Sequence, residues 1–238
     1  MGLEISGLVV NSGGRAVLPG LTCTAPAGRL TGVFGPPGSG KSTLLRCIAG
    51  AQEIAAGEIR TGGTPRRAGY APGVESIYPE LSVVRNVRYF ATVWRASRAA
   101  ADRALAEVEM SALAGEVAGA LPAEPRARLS LACALVGEPE VLALDGLTDG
   151  LDPVARNDLW ARFGALAARG TTVLAAGRAL DDALRCDHVL LLNRGELVGE
   201  GTPGDLLGGV TSMEHAFVRL SGGSGPIRPD RALAEVAR

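Results

Sequence analysis

The nine residues from Gly35 to Thr43, GPPGSGKST, constrain this chain more than any other stretch. They match the pattern GxxxxGK[ST] at every fixed position. They also lie where the pattern has a mechanism, behind the apolar run Leu30 to Phe34 and ahead of a helical period through Leu44, Leu45 and Ile48. In such a loop Gly35, Pro36, Pro37, Gly38, Ser39 and Gly40 let backbone N–H groups wrap a polyphosphate. Lys41 reaches the β and γ oxygens, Ser42 is placed to ligate Mg2+, and Thr43 completes the motif. Lys41 is the single lysine among 24 basic residues. A residue kept against so strong an arginine bias is read as kept for its chemistry.

A second Mg2+ anchor is expected at the end of a buried strand, and VLALD, Val141 to Asp145, supplies it about a hundred residues after the loop. An apolar strand ending in Asp is weak evidence alone. With the loop it specifies a P-loop NTPase core that takes ATP and Mg2+ through Ser42 and Asp145.

Alternation of short apolar runs with longer helical periods predicts a parallel-sheet α/β architecture. Strands are expected at Leu3 to Val10, Leu21 to Ala25, Leu30 to Phe34, Glu58 to Thr61, Gly69 to Ala71, Val141 to Leu144, Thr172 to Ala175 and Val189 to Asn193. Gly13 and Gly14 turn the chain between the first two. Helices are expected from Lys41 to a stop at Gly50 and from Pro153, capped by Asp152. Between residues 82 and about 138, Ala-rich helical periods replace strands, with Ser82 as an N-cap, so a helical segment is inserted into the α/β core. Residues 221–238, opening with SGGSG, are expected to be a flexible tail.

Composition removes several classes of function. With 47% hydrophobic and 21% charged residues the chain is a folding one, and 238 residues suffice for one elaborated domain or two intimate subdomains. A net charge of −1 offers no basic footprint for nucleic acid. No run approaches the roughly 20 apolar residues that span a bilayer. No positively charged segment precedes the short apolar start, so no secretory leader is expected. Cys23, Cys47, Cys133 and Cys186 fit neither a zinc spacing nor a compact disulfide framework, and are read as buried thiols.

Over residues 3 to 221 the chain resembles the ATP-binding subunit of ABC transporters. Six landmarks carry the likeness in order: GPPGSGKST, GYAPG from Gly69, YPELS from Tyr78, LPAEPRARLSLACAL from Leu121, VLALDGLTDGLDP from Val141, and CDHVLLLNRGELVGEGTP from Cys186. YPEL and GLDP are most similar to subunits that drive multidrug or antibiotic efflux. The resemblance implies an ATP-binding domain over residues 1–220, of ABC ATPase type, with an antiparallel β subdomain and a helical subdomain at about 82–138. It also implies that two such subunits close on two ATP molecules, each held between the phosphate loop of one and the signature helix of the other. A transmembrane permease is the implied partner, met in part through the Tyr78 to Ser82 segment, and the implied location is the cytoplasmic face of the membrane.

Several functional positions of that family are changed here. Gly73 stands where the family has the Gln after GYxP. Gly146 stands where it has the Glu that polarises the attacking water, and Arg178 where it has the switch His; neither His188 nor His215 falls at that motif position. Ser12 aligns with the stacking aromatic of the first hairpin. In place of LSGGQ the chain has Leu121, Pro122, Ala123, Glu124 and Pro125. Two prolines remove phosphate-binding donors, and a carboxylate 4 Å from a phosphate charge costs about 4 kcal/mol at an effective dielectric near 20. The expectation is a degenerate subunit without catalytic residues of its own, paired with a sister ATPase of intact motifs and driving export. Two alternatives stand beside it: a soluble regulatory ATP-binding protein, and an active ATPase whose water is oriented by Asp149 or by a partner residue.

Overall fold

A computed structural model describes residues 2–61 and 68–222. Three strands, β1 (Leu3–Ser12), β2 (Arg15–Ala25) and β4 (Ala56–Thr61), form an antiparallel sheet in the order β2-β1-β4. The remaining strands are β3 (Leu30–Phe34), β5 (Ala68–Ala71), β6 (Val141–Asp145), β7 (Thr172–Ala176), β8 (His188–Asn193) and β9 (Glu196–Gly201). They make a second sheet in the order β5-β6-β7-β3-β8-β9, parallel except for β9. β3 and β7 are buried at all five residues each, which is why they read as unbroken apolar runs rather than alternating ones.

The pleat of this sheet sorts its side chains into two cores. Val141 and Ala143 face α1 (Lys41–Ala49), whose Leu44, Leu45, Cys47 and Ile48 also cover the antiparallel sheet. Leu142 and Leu144 face the other way, into a core shared with α5 (Pro153–Ala168) and with the helical segment α2 (Val83–Val93), α3 (Arg98–Glu107) and α4 (Ala123–Leu135). Two short helices, α6 (Pro203–Leu207) and α7 (Met213–Leu220), follow β9.

The α/β class, the antiparallel β subdomain and the helical subdomain all stand as expected. Asp152 caps α5 by accepting from the N–H groups of Val154 and Ala155, and Gly50 ends α1 in the left-handed conformation. Other local expectations are corrected. β2 begins at Arg15 rather than Leu21. Ser82 precedes α2, but its side chain makes no capping bond; buried Asn86 instead accepts from the Tyr78 N–H at 2.8 Å and donates to its carbonyl at 3.0 Å. β9, α6 and α7 were unanticipated, although Arg194 and Gly195 between two apolar runs carry a hairpin signal. All four cysteines are buried free thiols. Residues 223–238 of the expected tail lie outside the described residues.

Candidate functional site

β3, β7 and β6 are neighbours and end level with one another: Val33 lies opposite Ala176, and Ala176 opposite Asp145. Their carboxyl ends border a cleft of about 250 Å³. Pro37, Gly38, Lys41 and Ser42 line it from the loop after β3, Asp145, Gly146 and Asp149 from the end of β6, and Ala176, Gly177 and Arg178 from the end of β7. A crevice at the carboxyl ends of parallel strands is where open α/β sheets take ligands.

Gly35 starts the loop at φ 150°, and a Cβ there would fall 2.0 Å from the Leu192 carbonyl oxygen, so the position admits no side chain. The loop then turns on a Ser39 N–H to Pro36 carbonyl bond of 3.1 Å and runs into α1 through Gly40. α1 has neither a side-chain cap nor an acidic residue in its first turn. Its free N–H groups and positive dipole end are therefore available to an anion. The Lys41 ammonium donates to the carbonyls of Gly35 at 2.7 Å and Pro36 at 3.0 Å. Burial lowers its pKa, opposed by Asp145 and Asp149.

Across the cleft the Ser42 hydroxyl donates to Asp145 Oδ1 at 3.0 Å, although 103 positions separate them in the chain. Tyr70 on β5 donates to Asp145 Oδ2 at 3.3 Å, and burial, then Asp145, push its pKa up to about 12, which keeps the donor protonated. The sequence reading missed Tyr70; its signal was the GYAPG landmark itself, carried by the strand that pairs with β6. One hydroxyl and one carboxylate are hard oxygen donors of the kind Mg2+ accepts alongside phosphates and water, so the residues fit that ion. Among the described residues no group of three or more His, Cys, Asp or Glu forms an all-protein metal cage.

The changed positions do not all behave as their identities suggest. Gly146 has φ 67°, and a Cβ on it would lie 3.2 Å from Asp149 Oδ2. The Asp149 carboxylate thus folds back over a glycine that leaves it room. Arg178 holds it there, with Nε 3.0 Å from Oδ2. Burial raises the Asp149 pKa, and Arg178 opposes the rise. Gly73 begins a 3-10 turn at φ 67°, with its vacant Cβ direction 3.6 Å from the Asp145 carbonyl; the backbone reaches the site without a side chain to enter it. Ser12 is exposed at the hairpin tip opposite Arg15 and is not part of the cleft lining. Neither His188 nor His215 lines the cleft.

At the signature position Pro122 is the N-cap of α4, and Glu124 and Pro125 lie in its first turn. The expected free carboxylate needs correction, because Glu124 is in direct contact with the Arg128 guanidinium. Arg128 also meets Asp158 at 3.1 Å and Glu109 at 3.4 Å, and Arg162 meets the same two at 2.8 and 2.6 Å. The i,i+4 spacing of Glu124 and Arg128 was the readable sign of this pairing. Beside the helical subdomain, Tyr78 and Tyr89 stack edge to face at 4.8 Å, Phe90 adjoins both, and Tyr89, Val93 and Trp94 are exposed.

A family model described as "ABC transporter" matches residues 18–149. The chain is 37% identical over 201 residues to a protein of Escherichia coli (strain K12) named "Probable multidrug ABC transporter ATP-binding protein YbhF". That match takes in 79% of this chain but only 35% of YbhF, so the chain spans about a third of that relative's length. It is 34% identical over 209 residues to the Nod factor export ATP-binding protein I of Burkholderia lata, covering 82% of this chain and 69% of the relative. Among solved structures, one described as the ATP-binding subunit of an ABC transporter superposes with a TM-score of 0.80 at 25% identity, over 93% of this chain and 100% of the other.

Proposed function

Because the chain belongs to the ABC transporter family, among its ATP-binding subunits, we propose that it is the low-hydrolysis member of a heterodimeric ATPase pair that drives an export permease. The observation that carries this reading is the division of the cleft. Its phosphate-loop wall keeps Lys41, Ser42 and Asp145 in mutual reach, while its opposite wall offers a side-chain-free Gly146 and an arginine already engaged with Asp149. ATP seats its phosphates on the residues Gly35 to Thr43, with Lys41 as the principal counter-charge. Ser42 and Asp145 would hold Mg2+, which when bound would supply charge neutralisation to the phosphates. Asp145 is oriented by Ser42 and Tyr70, and Arg178 brings to the cleft a guanidinium that donates hydrogen bonds but accepts none.

The names of the relatives, multidrug and Nod factor export, support an exporting permease as partner. The aromatic surface of Tyr78, Tyr89 and Phe90, fastened by Asn86, supports docking of that permease at the cytoplasmic face of the membrane. A homodimer would set the proline-capped α4 against a site already lacking its Glu. Pairing with an intact sister gives the Lys41 site a working signature and leaves the sister's site the poorer one.

A second reading has an observation of its own: the Asp149 carboxylate lies in the cleft beside Gly146, where a water-orienting group would have to be. Turnover by the purified full-length chain separates the two. The first reading expects negligible phosphate release; family-like turnover that disappears in both Lys41→Ala and Asp149→Asn would establish the second in its place. Purification from its own host with a permease and a second ATPase tests the assembly, and recovery of a homodimer alone refutes it.

A further inference from the structure

α2 carries an exposed stripe with one sign of charge. The 21 residues from Leu81 to Ala101 contain four arginines, Arg85, Arg88, Arg95 and Arg98, and no Asp or Glu, although acids and bases nearly balance over the whole chain. All four arginines are exposed. Val83, Asn86, Val87 and Ala91 turn one side of α2 into the core. Arg85, Arg88, Tyr89, Thr92 and Val93, spaced three and four apart, therefore share the outer side. Past the helix end Arg95 turns in the left-handed region at φ 54°, and α3 opens on Arg98, so basic residues continue across the corner between the two helices.

Apolar surface lies among these cations. Val93 is 63% exposed, Tyr89 46% and Trp94 36%. The Trp94 indole is seated against Gly137, where a Cβ would fall 2.7 Å from Cδ2. Acids stand at the borders: Glu80 beside Tyr78, Glu116 whose carbonyl accepts from the Val83 N–H, and Asp102 in α3. Arg88 approaches Asp102 at 3.9 Å, but both side chains are solvent-exposed and such a pair contributes little, so the guanidinium remains available. Exposed arginines interleaved with Trp, Tyr and an aliphatic residue match anionic headgroups, whose phosphates the guanidinium fork pairs, above an apolar boundary where amphipathic rings settle. A headgroup layer answers both characters of the stripe; an acidic protein segment answers the arginines alone.

We propose that the stripe from Arg85 to Arg98 docks on a membrane surface rich in anionic phospholipid, with the four arginines on headgroup phosphates and Val93 and Trp94 at the apolar boundary. This goes beyond the permease reading and does not rest on it, since the chain alone carries the whole surface. Four exposed charges bind reversibly and are screened by salt. The stripe therefore concentrates the subunit at the membrane rather than anchoring it there.

The test is co-sedimentation of the purified full-length chain with phosphatidylcholine vesicles, with and without phosphatidylglycerol, together with its tryptophan fluorescence. Binding is expected only with phosphatidylglycerol present and is expected to fall as salt is added. Of the two tryptophans Trp160 is 2% exposed, so Trp94 is the reporter and its emission should shift to the blue on binding. Arg95→Gln with Arg98→Gln should lose about twentyfold in vesicle affinity, roughly fivefold for each arginine. Arg15→Gln with Arg60→Gln, two exposed arginines of the antiparallel sheet, controls for net charge and should bind as the wild type does. No binding to the anionic vesicles, equal binding to both kinds, an equal loss in the control, or an unresponsive Trp94 would each overturn the proposal. A Trp94 response to a polyglutamate peptide in place of vesicles would assign the stripe to an acidic protein segment and overturn it as well. Co-purification with a permease, the test of the earlier reading, is independent of all these results.

Discussion

α1 and α4 both present an N-terminus in a position that the proposed function assigns to phosphate, yet their first turns are prepared in opposite ways. α1 follows a glycine loop, has no acid in its first turn and begins with Lys41. α4 follows Pro122, carries Glu124 in its first turn and spends that carboxylate on Arg128 in the same helix. Every helix has the positive dipole end; the first-turn residues decide whether an anion gains from it. The difference also separates chemistry from scaffold. At α1 the polar groups converge on a cleft, whereas at α4 Arg128 and Arg162 join Glu109 and Asp158 and fasten the helical subdomain to α5.

Lys41→Ala is the severest test of that contrast. Removing the one ammonium that faces the loop should cost about 3 kcal/mol, roughly a hundredfold in ATP affinity, since a charge-assisted contact to a polyanion is lost in a partly buried site. Isothermal calorimetry measures it. Glu124→Gln in the same assay should leave ATP affinity unchanged, and an equal loss in both variants would erase the distinction between the helices.

Next comes the rebuilt signature, Pro122→Ser, Ala123→Gly, Glu124→Gly and Pro125→Gln, in the complex with the proposed sister ATPase. Recovered N–H donors and removal of the acid should raise turnover about tenfold or more, a conservative figure beside the loss that follows removal of one preorganised donor. Phosphate release by the complex is the measurement. Unchanged turnover would mean that α4 does not face a working site.

Gly146→Glu, the apparent repair at the other wall, should not raise turnover. A side chain at φ 67° costs about 1 kcal/mol or more, and its Cβ meets the Asp149 carboxylate at 3.2 Å. A lower Tm with unaltered phosphate release is expected; restored hydrolysis would show that the β6 turn re-forms around the new residue.

The mildest expectation concerns the arginine network. Arg162, through its hydrogen bond and charge, holds the Glu109 pKa below its ordinary value of 4.5. A folded pKa below the unfolded one gives stability that is present above the unfolded value and lost as pH falls through the folded one. Glu109→Gln should therefore lower Tm slightly at neutral pH and flatten its decline below pH 4.5, with ATP affinity untouched. An unaltered acid profile would leave the network without a part in holding the subdomain.

Contiguous features were legible from the residues alone. The loop Gly35 to Thr43, the flanking β3 and α1, the buried β6 ending in Asp145 and the Asp152 cap each depend on neighbours within one turn or one strand, so spacing and side-chain type suffice. The parallel sheet followed from the order of such segments. The cleft did not. Ser42 meets Asp145 because β7 separates β3 from β6 by one strand, and Arg178 meets Asp149 because β7 ends level with β6. Gly146 reads in sequence as a missing glutamate and in three dimensions as the space that a different carboxylate fills. Pairings across separate strands depend on sheet order and on the sign of φ at a single turn, and both are settled only when burial of the two cores selects one arrangement of the whole chain.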